Sequence, residues 1–276
     1  MKPYLKTKDY SVSQEEFELR HDEERDMLVT FPEPKDLEKY YESEAYISHT
    51  DSKKTLVDKL YQIVKSYSLK KKVSLLNSFN SSEKTLLDIG AGTGDFLVVA
   101  KNHGWQIEGV EPNTNARARA KEKGIHLHSN LEQLKSKSFE VITLWHVLEH
   151  LPNLEKQIKD IVSFLDENGT MVIAVPNFKS YDAKYYGNFW AAFDVPRHLW
   201  HFSKKSIEQL FKPHGLQLIE SKPMLFDSFY VSLLSEKYKS GRQRMIKAFW
   251  IGLKSNLKAN GSKEYSSHIY ILKKDV

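Results

Sequence analysis

Three glycines at alternate positions, Gly90, Gly92 and Gly94, separate the apolar run of residues 85–89 from a run of helical character that continues through Phe96, Leu97, Val98 and Ala100. Glycine admits left-handed backbone and close approach of a ligand, and the start of the following helix offers unpaired N–H groups. Glu111 comes 21 residues after Gly90, at the end of the next short apolar run. A carboxylate at that place can accept both hydroxyls of a nucleotide ribose. In dinucleotide oxidoreductases the loop amides cradle a pyrophosphate through G-x-G-x-x-G. This chain has G-x-G-x-G followed by Asp95, and an acid beside a pyrophosphate repels it, so hydride transfer is the weaker reading.

Imidazoles supply the second group of candidates. His146 and His150 are four apart and His198 and His201 three apart, and either spacing can put two rings on one side of a helical turn. Histidine can exchange a proton near neutral pH or ligate a metal. With Glu149 and Asp194 a metal reading is available, but no recognisable metalloenzyme spacing accompanies it and no metal is expected. The chain has no cysteine, which excludes disulfides, thiolate nucleophiles and thiolate metal sites. His146, after an apolar strand, is a candidate for catalysis or for cofactor contact, and His150 reads rather as a loop anchor. Asp194, Arg197 and His198 fall together in a later segment. Arg197 could pair with a substrate anion or with Asp194, and His198 could take a proton or orient an acceptor. Tyr185, Tyr186 and Trp190 could wall an apolar pocket, although a satellite core under a long insert would use the same residues.

Elements that could position these groups follow from periodicity. Thr50 or Ser52 could cap a helix with Leu56, Leu60, Ile63, Val64 and Tyr67 on one face, followed by a second helical piece over 69–79. Strands are expected at 85–89, 106–111, 125–128, 139–144, 170–175, 216–221 and 266–272, and helices at 113–123, 154–165 and 204–211. Such alternation predicts an α/β fold with a parallel sheet and helices on both faces. An aromatic insert at 177–202 breaks the rhythm. Residues 1–79, with Tyr40, Tyr41 and Tyr46 in a cluster, are expected to form a helical cap or lid ahead of a main domain over 80–276.

Leu86-Leu87-Asp88-Ile89-Gly90-Ala91-Gly92-Thr93-Gly94, Gly109-Val110-Glu111-Pro112, Phe139-Glu140-Val141-Ile142 and His146-Val147-Leu148-Glu149-His150-Leu151 stand in that order. Together they resemble the class I S-adenosylmethionine-dependent methyltransferases, most clearly the small-molecule branch around the ubiquinone-biosynthesis O-methyltransferases. The resemblance spans about residues 80 to 220 and the last strand. It implies a Rossmann-like seven-stranded sheet of order 3-2-1-4-5-7-6 with strand 7 antiparallel. It also implies that Gly90, Gly92 and Gly94 pass beneath the amino-acid part of S-adenosylmethionine, that Glu111 binds its ribose and that Asp88 steadies the loop. Pro112, Asn130 and Leu131 would lie near adenine, His146 at the tip of the fourth strand, and the segment with Asp194, Arg197 and His198 at the acceptor pocket. Methyl transfer to oxygen or nitrogen of a small or medium-sized metabolite is the implied activity. The alternatives are an RNA methyltransferase, which an absent Asn/Asp-Pro-Pro-Tyr/Phe motif disfavours, and a noncatalytic binding or scaffold protein.

Composition sets the remaining bounds. With 40% hydrophobic and 28% charged residues in 276, the chain is globular in character. It begins without the apolar core of a secretory signal and has no run long enough to span a membrane, so a cytoplasmic enzyme is expected. Of its net charge of +5, residues 237–263 contribute eight basic side chains and no acidic one. Such concentration argues for a local basic element, an amphipathic helix near 243–257 within a helical insertion over about 227–262, rather than a nucleic-acid footprint. Packing, membrane-surface contact and a homodimer are all open to that helix, and no stable nucleic-acid partner is expected.

Overall fold

The computed structural model describes residues 1–41, 56–79, 81–134 and 137–274. The expected caps Thr50 and Ser52, and Tyr46, lie outside them. Along the described chain run β1 (Lys2–Lys8), β2 (Glu16–Asp22), β3 (Met27–Phe31), α1 (Leu56–Leu76), β4 (Thr85–Ile89), α2 (Asp95–Asn102), β5 (Gln106–Val110), α3 (Thr114–Glu122) and β6 (Phe139–Trp145). Then come α4 (Leu154–Val162), β7 (Leu165–Pro176), α5 (Tyr181–Tyr186), β8 (Trp200–His201), α6 (Lys204–Phe211), β9 (Leu216–Pro223), α7 (Asp227–Ser240), α8 (Met245–Ser262) and β10 (Ser267–Lys274).

These strands make an α/β fold with two sheets, of orders β5-β4-β6-β7-β10-β9 and β1-β2-β3-β8. β4 runs parallel to both β5 and β6, which sets Asp88 level with Gly109 on one side and Thr143 on the other. Leu86, Leu87, Val141 and Ile142 are fully buried, as expected of parallel strands covered on both faces. Among the described residues the larger sheet has six strands where seven were expected. Residues 125–128 join it only through an isolated parallel bridge between Val110 and His128, because so short a segment exchanges just two backbone bonds, Glu111 N to His128 O and His128 N to Gly109 O, both 2.9 Å. Gly109 permits that approach, since a Cβ there would lie 2.6 Å from Leu127 and 2.7 Å from Leu97.

The chain divides into two compact units. One comprises Glu44–Trp145, Lys156–Val172 and Leu272–Val276, and so includes the glycine loop. Its helix α1 is one continuous run rather than two pieces. Val73 and Leu76 are buried in it, whereas Ile63 and Tyr67, expected on the packed face, are exposed.

The other unit comprises Met1–Ser43, His146–Glu155 and Ile173–Ile271. Here the expected helical cap is corrected: residues 2–31 form three antiparallel strands, and β3 pairs Leu28 with His201 and Val29 with Trp200 on β8. The cause is a two-residue period, with Phe17 and Leu19 turned inward between charged neighbours. They join Leu28, Tyr40, Phe178, Tyr186, Trp190, Phe193 and Val231 in one apolar core. Ser203 caps α6 through a reciprocal box with Ser206. No helix among the described residues is long and apolar enough to cross a membrane.

Candidate functional site

In the first unit the chain leaves β4 and turns through Gly90, Gly92 and Gly94, with φ of 68°, 54° and 74°, the left-handed region that glycine enters without steric cost. The amides of Gly90 and Ala91 both donate to the Val110 carbonyl, at 2.8 and 3.0 Å, tying the loop to the end of β5. A Cβ on Gly92 would meet nothing within 4 Å, so backbone angle rather than crowding calls for glycine there. Glu111 then closes the arrangement. Its Oε2 accepts from the Gly92 amide at 2.9 Å and its Oε1 from the Asn113 amide at 2.8 Å. A carboxylate has about four lone-pair sites, so each oxygen keeps capacity for one further donor. Arg117, which the sequence reading missed, donates to the carbonyls of Glu111 and Pro112 at 2.7 and 2.6 Å. It sits on α3, whose start is capped by Asn113, and that cap was the available signal. Pro112 and Asn130 are exposed, and Leu131 is half-buried at the start of a short 3-10 turn.

Two acids nearby have different duties. Asp88 is buried and accepts the Thr143 hydroxyl at 2.6 Å, bracing β4 against β6 beneath the loop. Burial pushes its carboxyl up to about 7, ahead of the opposing effects of Thr143 and Lys72. Asp95, the first residue of α2, meets Lys65 at 2.7 Å and Lys123 at 2.6 Å. Burial raises its pKa, but the two ammonium groups outweigh that and hold the carboxyl low. Its charge is therefore already answered, and the argument against a pyrophosphate rests on the glycine spacing.

The second unit gathers the imidazoles. His146, with φ 57°, anchors its amide on the Ala174 carbonyl at 2.9 Å. Its Nδ1 lies 3.3 Å from Glu149 and its Nε2 3.3 Å from Asp227. Burial pulls the ring's pKa down, yet the two carboxylates override it and raise it to about 10. With its pKa so raised, the ring favours its charged form at neutral pH. Glu149 is only 1% exposed, and its oxygens find no well-directed hydrogen bond among the described residues. Burial raises its pKa and the His146 imidazolium more than reverses this.

His150 and His198 are arranged differently. His150 Nδ1 donates to the Arg197 carbonyl at 3.0 Å and lies 3.0 Å from the Tyr41 hydroxyl. His198 Nδ1 donates to the Ala192 carbonyl at 2.9 Å. Because a carbonyl only accepts, each Nδ1 carries its proton and each Nε2 is the nitrogen left to receive one. Burial, then the neighbouring His198, pull His150 down to about 4. The two rings meet edge to face with centroids 4.6 Å apart. Glu149, His150 and His198 also bring three ligand-type atoms within 4.8 Å of one another, a donor set that suits a divalent cation. His201 turns away from this group to Thr30 Oγ1 at 3.0 Å, and burial first and His198 second hold its pKa well below the ordinary value.

Of the two partners open to Arg197, a substrate anion or Asp194, the structure shows Asp194, in an ion network centred on the buried guanidinium. Arg197 is 1% exposed and grips Asp194 through Nη2 at 2.6 Å and Nε at 3.0 Å. It also donates to Asp9 at 2.9 Å, to the Tyr40 carbonyl at 3.2 Å and to the Ser11 hydroxyl. Its donors are thus occupied by protein, and burial of Asp194 is outweighed by the guanidinium, which keeps that carboxyl ionised. Asp9 had no long-range signal in the sequence, although its acceptance of the Ser11, Val12 and Ser13 amides marks a local turn. Tyr186 and Trp190, each 2% exposed, belong to the apolar core rather than to a pocket wall. Trp190 Nε1 donates to the buried Asp182 at 2.8 Å. Tyr185 is half-buried, stacked near Tyr181, with Lys239 5.3 Å from its ring centre.

Residues 61–221 match the family model described as a methyltransferase domain. The chain is 27% identical over 176 residues to the ubiquinone biosynthesis O-methyltransferase of Rickettsia canadensis, covering 58% of this chain and 73% of that one. An uncharacterized methyltransferase of Alkaliphilus oremlandii is 33% identical over 105 residues, 36% of this chain and 48% of its own. Among solved structures, the magnesium protoporphyrin IX methyltransferase of Synechocystis PCC 6803 with bound SAH superposes with a TM-score of 0.58 at 14% identity, covering 86% of this chain and 97% of that one.

Proposed function

This chain belongs to the methyltransferase-domain family, and from that premise we propose that it transfers the methyl group of S-adenosylmethionine to a hydroxyl oxygen on a small or medium-sized metabolite. S-adenosylmethionine supplies an electrophilic methyl on a sulfonium. The residues that would hold it are those of the glycine loop: Gly90, Gly92 and Gly94 would give the cofactor's amino-acid part an approach to backbone, and the spare lone pairs of Glu111 would accept the ribose hydroxyls. Asp88, bonded sideways to Thr143, and Arg117, bonded to the Glu111 and Pro112 carbonyls, position that loop. Pro112, Asn130 and Leu131 are assigned to the adenine. The strand order β5-β4-β6-β7-β10-β9 supports reading the sheet as 3-2-1-4-5-7-6, with residues 125–128 as a third strand reduced to one bridge and β10 as the antiparallel member.

The acceptor chemistry rests on one observation, the pair of imidazoles whose Nδ1 protons are committed to the Ala192 and Arg197 carbonyls. A hydroxyl becomes a competent nucleophile as its proton leaves, and a base contributes about 10²–10⁴-fold to such a step. His198 Nε2 is assigned that proton, and His150 holds its neighbour in place. His146, being charged, offers electrostatic stabilisation to an ionising hydroxyl rather than proton abstraction. The Rickettsia canadensis relative is an O-methyltransferase, which agrees with oxygen as the acceptor atom.

The test is binding and label transfer on the full chain. Calorimetry should detect S-adenosylmethionine and S-adenosylhomocysteine but not NAD, and methyl-labelled donor should label phenols and other hydroxyl compounds in preference to amines. Uptake of NAD alone overturns the reading. Activity that disappears on chelation and returns with added zinc or magnesium would assign Glu149, His150 and His198 to a cation instead of to proton transfer.

A further inference from the structure

Helix α8 packs its small side chains and exposes its large ones. Ala248, Gly252, Ser255 and Ala259 form its buried stripe. A Cβ on Gly252 would stand 3.0 Å from the backbone of Phe229 on α7, so the small stripe is what lets the two helices approach. On the opposite side Ile246, Trp250 and Leu257 recur with helical period and are 79%, 61% and 61% exposed. Met245 and Phe249, also exposed, widen the strip. A helix that served only to pack against its own unit would turn this apolar face inward, and a contiguous apolar strip left in water marks a place where something binds.

Charge says what kind of surface fits. No acidic residue falls between Lys237 and Lys263, and eight basic ones do. Lys247 is answered by the buried Glu236 at 2.9 Å. Lys254 and Lys258 lie over the Tyr181 ring at 5.4 and 4.7 Å from its centre, along one margin of the exposed strip. Arg242 and Arg244 are exposed just before the helix begins. An apolar strip edged by cations complements a surface that is anionic outside and hydrocarbon within. A second copy of the chain complements it poorly, because a two-fold interface would set the same cations against one another.

We propose that α8 docks the protein on an anionic lipid surface. Ile246, Trp250 and Leu257 enter the boundary between headgroups and acyl chains, and Arg242, Arg244, Lys254 and Lys258 lie at the lipid phosphates. This docking is independent of the methyl-transfer reading.

The full chain is sedimented with phosphatidylcholine vesicles that contain or lack phosphatidylglycerol. It should partition onto the anionic vesicles only, with a blue shift of tryptophan emission, and release as salt rises. The variant Ile246→Ser/Trp250→Ser/Leu257→Ser changes only exposed side chains and no charge; with its thermal melt unchanged, its partition should fall about a thousandfold, on the order of a tenfold loss for each partly inserted side chain. Absence of wild-type binding to anionic vesicles overturns the proposal. So does full binding by the triple variant, which would signify attraction of any polyanion, nucleic acid included. Concentration-dependent dimerisation that the triple variant abolishes also overturns it, in favour of a second copy as the occupant.

Discussion

The glycine loop and the imidazole cluster are held in place by different kinds of force. The loop is a local construction: Gly90 to Asn113 supply nearly all of it, backbone amides and carbonyls tie it to β5, and the Glu111 carboxylate accepts from the Gly92 and Asn113 amides at 2.9 and 2.8 Å. The imidazole cluster draws on residues from Asp9 to Asp227, and it is held by charges, the buried Arg197 between Asp9 and Asp194 and the partly exposed His146 between Glu149 and Asp227. Backbone bonds tolerate the loss of any one side chain. A buried charge network does not, because removing one member leaves the others unpaired in a medium that solvates them poorly.

That contrast is most open to breakage at Arg197. Its replacement by methionine should cost about 3–5 kcal/mol in urea unfolding, since Asp9 and Asp194 lose their partner; a loss near zero would show that the network is not what holds the cluster. Next in size, His198→Ala should lower turnover by about 10²–10⁴-fold with cofactor affinity intact, while Glu111→Ala should weaken S-adenosylhomocysteine binding by about 10–100-fold, on the scale of hydrogen bonds to a charged group. The reverse pattern would exchange the roles of the two regions. The smallest effect is a pH dependence. His146 is raised to about 10, so its stabilising pairing is complete below about 6.5, the unfolded value, and fades as pH climbs through about 10. Asp227→Asn should therefore melt below wild type near neutral pH, and the gap should close above about 10. A gap that persists there would mean that Asp227 acts through something other than the His146 charge.

The loop was readable because each residue type answers a local demand. Three positive φ angles call for three glycines, and a carboxylate at the end of β5 calls for amide donors that its own neighbours provide. The imidazole cluster was readable only in part. His150 and His198 carry their chemistry in their residue type, and the expectation of one as loop anchor matches its bond to the Arg197 carbonyl. Arg197 and Asp194 were readable as a pair, but not the link to Asp9, because a charged pair three residues apart looks the same whether it faces a ligand or a distant acid. Tyr186 and Trp190 were ambiguous for a similar reason, as an aromatic ring lines a pocket or fills a core with equal ease.

From the linear chain alone came the α/β class, the strand-glycine-helix unit and its partner acid, since these depend on spacings of a few residues and on backbone geometry. The conversion of the amino-terminal residues into strands beside β8, the reduction of residues 125–128 to a bridge, and the raised pKa of His146 were decided by tertiary structure. Strand pairing needs a partner edge that lies some 170 residues away, as Leu28 and His201 do. A pKa likewise answers to burial and to opposite charges nearby, and both come into being only when remote segments fold together.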